Sequence, residues 1–115
     1  MKLPNRERAI IPETKVIDYL LSSTHPYGRH KAAFFHRFGF VVESWGILRT
    51  AVLQHADEHE VAVVTRSQFG TRYTVEGALS SPDGRRPEVR VVWFVEADDD
   101  VPRLVTVYPL PGRLP

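Results

Sequence analysis

The rhythm of apolar and polar positions changes once along this chain, near Glu60. Before that point the spacing is helical. Val16, Ile17, Leu20 and Leu21 recur on one face; Ala33, Phe34 and Phe38, with Phe35 beside them, form a second stripe; Trp45, Leu48, Ala51, Val52 and His55 form a third. After it the period is two: Val61/Val63, Tyr73/Val75, Val89/Val91/Trp93/Val95 and Leu104/Thr106/Tyr108 alternate as half-buried strands do. Pro12 suits the first position of a helix and Glu13 its first turn. The run Ser22-Ser23-Thr24-His25-Pro26 ends that helix, because the residue before a proline is pushed out of the α region. A second helix is predicted from about Arg29 to Phe38 with Gly39 just past its end, and a third opens at Ser44 and closes at Asp57-Glu58-His59. Gly70, Ser81-Pro82-Asp83-Gly84 and Asp98-Asp99-Asp100-Val101-Pro102 separate the strands. The strand around Val91–Val95 is apolar on both faces and belongs in the middle of the sheet.

Helices followed by a meander give an α+β class: two to three N-terminal helices packed on a four-stranded antiparallel β-meander. The 115 residues form a single domain. Residues 1–8 are an arm and 109–115 a tail, since Pro109, Pro111 and Pro115 cannot continue a ladder.

Composition narrows the function less than it narrows the fold. A hydrophobic content of 43% fits a folded core, and a net charge of +1 is too small for a protein that coats polyanions. Any nucleic-acid activity therefore needs a focused site. The chain has no cysteine, which removes disulfides, thiolate nucleophiles and thiolate metal sites. Met1-Lys2-Leu3-Pro4-Asn5-Arg6 does not lead into an apolar signal region, and no run is long enough to cross a bilayer. The expectation is a soluble, cytoplasmic protein without membrane contact, unless another system exports it.

The charge is unevenly placed. From Tyr19 to Val42 there is no acidic residue, whereas His25, Arg29, His30, Lys31, His36 and Arg37 all lie there. In His25-Pro26-Tyr27-Gly28-Arg29-His30-Lys31-Ala32, Gly28 allows a tight turn and the following helix start presents N–H groups to an anion. Cations at a helix N-terminus are unfavourable unless an anion compensates. His30 can move a proton near neutrality. The plainer reading is a loop with solvated cations. On the strands, Arg72, Thr74 and Glu76 share one face, and Arg90, Thr106 and Tyr108 are polar positions in apolar strands; a guanidinium held there can clamp a phosphate. Arg72 and Glu76 also fit a solvated face or cross-strand ion pair. His55 and His59 have the spacing of two imidazoles on one helical face, but not the zincin pattern, and a polar helix end is the better reading. No metal and no cofactor is assigned.

Five ordered segments carry a family resemblance: Lys2-Leu3-Pro4-Asn5 with Ala9-Ile10-Ile11, the His25–Ala32 run, Phe69-Gly70-Thr71-Arg72-Tyr73-Thr74-Val75, Val89-Arg90-Val91-Val92-Trp93, and Pro102-Arg103-Leu104-Val105-Thr106-Val107-Tyr108. Over residues 1 to about 108 the chain resembles a small bacterial family of domains of unknown function. Its members occur alone and at the C-termini of phage head-morphogenesis and polymorphic-toxin-like proteins. Family members commonly have Tyr at the place of Phe69 and Asp at that of Glu76. The resemblance transfers no catalytic role. At the level of fold alone, helices before a four-stranded meander resemble the barnase/EndoU/colicin/RelE-like ribonucleases, which cleave RNA through the 2′-hydroxyl.

That analogy implies a metal-independent, toxin-like endoribonuclease. Its catalytic residues would be His30, Arg72 and Tyr108, with His25, Tyr27, Arg29, Lys31, Arg90 and Thr106 binding phosphate or substrate. The alternative is a non-catalytic domain that binds a protein or an anion, as a phage- or secretion-associated accessory. RNA, a protein partner or a second copy in a homodimer are the partners these readings imply.

Overall fold

The computed structural model describes residues 1–110; most of the expected tail, 111–115, lies outside the described residues. A 3₁₀ turn at Arg6–Arg8 precedes α1 (Glu13–Lys15), which passes directly into a π-helical turn, Val16–Leu20. Then come α2 (Arg29–Arg37), a second 3₁₀ turn at Val42–Ser44, and α3 (Trp45–Glu58). The strands β1 (Val61–Ser67), β2 (Gly70–Ala78), β3 (Glu88–Glu96) and β4 (Arg103–Pro109) form one antiparallel sheet in the order β1-β2-β3-β4. This is the α+β fold expected, with N-terminal helices packed on a four-stranded antiparallel meander. Among the described residues no helix is long and apolar enough to cross a membrane.

The third stripe is buried as its period requires, through Leu48, Ala51, Val52, His55 and Ala56. On α2 the buried residues are Ala32, Phe34 and Phe35, while Ala33 is exposed. The stripe there centres on Phe35, and Ala33, about 200° away round the helix, faces outward. Helix α2 ends in a Schellman arrangement: the Gly39 N–H donates to the His36 carbonyl (3.1 Å) and the Phe40 N–H to the Phe35 carbonyl (3.1 Å). The turn folds Phe40 back beside Phe35, their ring centroids 5.9 Å apart. From the sheet, Val75, Val89, Val91, Trp93, Leu104 and Val107 close the core, and full burial of each such side chain stabilises by about 2 kcal/mol.

The register sets out the other sheet face in rows. Glu76, Arg90 and Tyr108 stand side by side; Thr74, Val92 and Thr106 form the next row; Arg72, Phe94 and Arg103 the third. The free edge of β4 meets the N-terminal segment. Ile10 bridges Arg103 in parallel, its N–H donating to the Pro102 carbonyl (2.9 Å) while its own carbonyl accepts from Leu104 N–H (3.0 Å). From Ile10 the chain enters α1 and the π turn, which brings Tyr19 to β4. Residues 1–8 are docked: Leu3 is fully buried, and the Met1 carbonyl accepts from Val61 N–H at 2.7 Å.

Candidate functional site

Three segments converge on β4. The π turn, closed by Leu21 N–H donating to the Val16 carbonyl five residues back (2.8 Å), carries Tyr19. The His25–Gly28 loop lies against it so closely that a Cβ on Gly28 would stand 2.2 Å from the Tyr19 carbonyl oxygen. Only glycine permits that approach. Helix α2 supplies Lys31, and β4 supplies Thr106 and Tyr108.

Lys31 is the hub. Its ammonium donates to the Tyr19 hydroxyl at 2.5 Å and to Thr106 Oγ1 at 2.8 Å. It also sits 4.8 Å from the centroid of the Tyr19 ring and 4.5 Å from that of Tyr108, both cation–π distances. An ammonium has three N–H groups, and two are used. No carboxylate pairs with it among the described residues. Among the described residues Lys31 is thus a half-buried cation held by neutral hydroxyls and ring faces, with one N–H left unused. Lys15 adds a second charge, 5.3 Å from the Tyr19 ring.

The Tyr19 phenol responds to these neighbours. Burial pushes its pKa up, but hydrogen bonds from Lys31 and Thr106 and the charges of Lys31 and Lys15 outweigh burial and hold it below the usual tyrosine value. The His25 ring meets Tyr19 edge-on, centroids 4.9 Å apart. Its Nδ1 accepts N–H donations from Tyr27 (3.0 Å) and Gly28 (2.9 Å). That fixes the neutral ring in the Nε2–H tautomer, so His25 organises the loop and presents a donor.

The structure brings Lys31, Thr106 and Tyr108 together, with His25 in contact through Tyr19. Tyr27 is 80% exposed beside His25, their centroids 6.0 Å apart. Arg29 and His30 are exposed at the start of α2 and make no side-chain hydrogen bond or ion pair among the described residues. Arg90 neighbours Tyr108 across the strands and donates through Nε to Glu76 Oε2 at 2.7 Å, a cross-strand ion pair. Arg72 is not gathered in. It lies two strands from Tyr108 and four residues along β2 from Glu76, about 16 Å away by strand spacing and rise. Tyr19 and Lys15 are the site residues that sequence reasoning omitted, although Tyr19 bounds the acid-free stretch. Among the described residues no group of three His, Cys, Asp or Glu side chains could hold a metal ion.

A family model described as a domain of unknown function, DUF6883, matches residues 2–111. No curated protein matches the sequence at a significant level. Among solved structures the fold is similar to a chain of a contact-dependent growth inhibition toxin–immunity protein complex from Klebsiella pneumoniae 342. The TM-score is 0.72 and the identity 19%, over 93% of this chain and 97% of that one. At that identity the likeness is one of fold.

Proposed function

The chain belongs to the DUF6883 family of domains of unknown function, and within that family we propose that it acts as a metal-independent endoribonuclease, a toxin-like domain that cleaves an RNA phosphodiester through the 2′-hydroxyl. The observation that carries the reading is the Lys31 ammonium, bonded to Tyr19 and Thr106, flanked by Tyr108 and without a carboxylate among the described residues.

The chemistry follows from that arrangement. A non-bridging phosphate oxygen accepts the third N–H of Lys31, while the buried Thr106 hydroxyl holds Lys31 and Tyr19 in place. Tyr19, whose ionisation Lys31 and Thr106 favour, takes the 2′-hydroxyl proton when it has lost its own. The 2′-oxygen attacks phosphorus, the bond from phosphorus to the 5′-oxygen breaks, and the ammonium stabilises the charge that builds on the phosphate. The leaving 5′-oxygen needs a proton. His30, exposed one position before Lys31, turned about 100° from it round the helix and without a partner among the described residues, is assigned to deliver it from the solvent side of the cluster. The products are a 2′,3′-cyclic phosphate and a 5′-hydroxyl. Tyr108 forms the wall against which Lys31 is held, Arg90 beside it is paired with Glu76, and Arg29 and the exposed Tyr27 ring extend the surface toward flanking nucleotides.

The same site without proton transfer is a non-catalytic anion- or protein-binding domain. This second reading draws on the fold shared with a chain from a protein–protein complex. The similarities support a toxin-like domain with a protein partner rather than a phage head-morphogenesis role.

The test incubates purified protein with single-stranded and structured RNA in the presence of chelator. Wild type is expected to produce cyclic-phosphate ends. Lys31→Met should abolish both binding and cleavage, whereas Tyr19→Phe and His30→Ala should bind RNA and cleave it at least a hundredfold more slowly, roughly the value of one general acid or base. RNA binding without cleavage by wild type selects the non-catalytic reading. Equal cleavage by wild type and Lys31→Met refutes the site altogether.

A further inference from the structure

The third row of the outer sheet face differs in kind from the other two. Phe94 stands between Arg72 and Arg103, its neighbours on β2 and β4, and neither arginine makes a side-chain hydrogen bond or ion pair among the described residues. Beside this row the β1–β2 turn holds Phe69 out into solvent, 71% exposed. The turn is not loose. Phe69 N–H donates to Ser67 Oγ (3.2 Å), the Phe69 carbonyl accepts from Ala97 N–H (3.0 Å), and the Ser67 hydroxyl donates to the Gly70 carbonyl (3.3 Å). Gly70 has φ +151°, and a Cβ there would meet the Val95 carbonyl oxygen at 2.2 Å and the tip of the Phe94 ring at 2.7 Å. Glycine lets the turn close down on Phe94.

Phe69 and Phe94 thus line one open cavity of about 510 Å³ with Arg72, Thr65 and Ser67, and the two rings make no contact with each other. Two separated aromatic faces, one fixed in water, with the Arg72 guanidinium alongside, match an unpaired nucleobase and its backbone. The adjoining hollow behind Phe94 is lined by Glu96 and Asp98. Carboxylates there repel phosphate and accept hydrogen bonds from an exocyclic amino group, which favours entry of a base edge on that side. Along β3, Phe94 is four residues from Arg90, so this row stands about 13 Å from the row of Tyr108. An extended strand of a few nucleotides crosses that distance; a dinucleotide at Lys31 does not.

We propose that Phe94, Phe69 and Arg72 form a distal subsite that stacks an unpaired base of the same RNA strand whose phosphodiester is held at Lys31. The inference rests on the endoribonuclease reading and explains why Arg72 lies outside the catalytic cluster. Its test is binding of uncleavable 2′-O-methyl oligonucleotides at low salt, a dinucleotide against a hexanucleotide. Phe94→Leu retains an apolar side chain for packing and Arg72→Gln alters an exposed residue, so both variants are expected to fold, as circular dichroism would verify. The expected result is a loss of about tenfold for each variant on the hexanucleotide, the order of one base–aromatic stack, with no change for the dinucleotide. A hexanucleotide lacking its bases, with the same charge, should bind wild type and Phe94→Leu equally. Unchanged hexanucleotide affinity, or equal losses on both lengths, overturns the subsite; if Lys31→Met still weakens both ligands, the site at Lys31 stands without it. No binding of either ligand by wild type overturns both.

Discussion

Acid should destabilise this protein chiefly through one imidazole. His55 lies on the buried face of α3 with 1% of its surface exposed. Its Nε2 donates to the Gly77 carbonyl at 3.2 Å, Nδ1 has no partner among the described residues, and the His59 ring stands 4.6 Å away, itself bonded to the Ala78 carbonyl at 2.8 Å. A second proton would sit on a nitrogen with no acceptor, beside another imidazole. Burial first, and the neighbouring His59 second, lower the His55 pKa from 6.5 to about 4. The unfolded chain therefore takes up this proton near pH 6.5 and the folded chain only near pH 4. Stability from this group is complete above pH 6.5 and is lost as the pH falls toward 4. At pH 4 the loss is about 3 kcal/mol, at 1.36 kcal/mol for each pKa unit. Urea titrations followed by fluorescence of the buried Trp93 at pH 7.5 and 4 measure it. In His55→Gln the side-chain amide can keep the donation to Gly77 but cannot titrate, so its stability should fall by about 3 kcal/mol less over this interval, while the carboxylates common to both proteins cancel. Parallel pH curves for the two proteins, within about 0.5 kcal/mol, would refute the reasoning.

Three further outcomes follow from the packing. Absorbance titration should find one of the four tyrosines ionising at lower pH than the rest, and Lys31→Met should move that transition upward; an unchanged curve removes Lys31 as the cause. Gly28→Ala should destabilise by about 2 kcal/mol, because the new methyl meets the Tyr19 carbonyl, and thermal melting at wild-type temperature would show that the loop does not lie there. Leu3→Ala should cost about 3 kcal/mol if the N-terminal arm is part of the core, whereas a denaturation midpoint within error of wild type would show it is not.

The meander was legible because alternation and turn residues are local signals. Val91 and Trp93 alternate into the core, and Ser81-Pro82-Asp83-Gly84 punctuates β2 from β3. The site was legible only in part. Lys31 and Thr106 stood out as polar residues in suspicious surroundings, but their bond spans 75 residues and is set by how α2 meets β4. Tyr19 escaped because the π turn adds a residue to the helical repeat, and a 3.6-residue pattern does not reveal which way Tyr19 then points. Arg72 and Tyr108 look equivalent as polar residues on strands; the strand order and register separate them. His30 and Lys31 are adjacent in sequence, yet a helix turns them about 100° apart, and only Lys31 reaches the sheet.

The bridge between Ile10 and Arg103 closes a loop over most of the chain, and the residues that grip Lys31 come from both ends of that loop. A ribosome making this protein builds Tyr19 and Lys31 early and Thr106 and Tyr108 late, and contacts so distant in sequence form slowly. No nascent chain that stops short of residue 106 can complete the cluster. A chain interrupted before β4 therefore carries Lys31 without Thr106, one of the two hydroxyls its ammonium donates to.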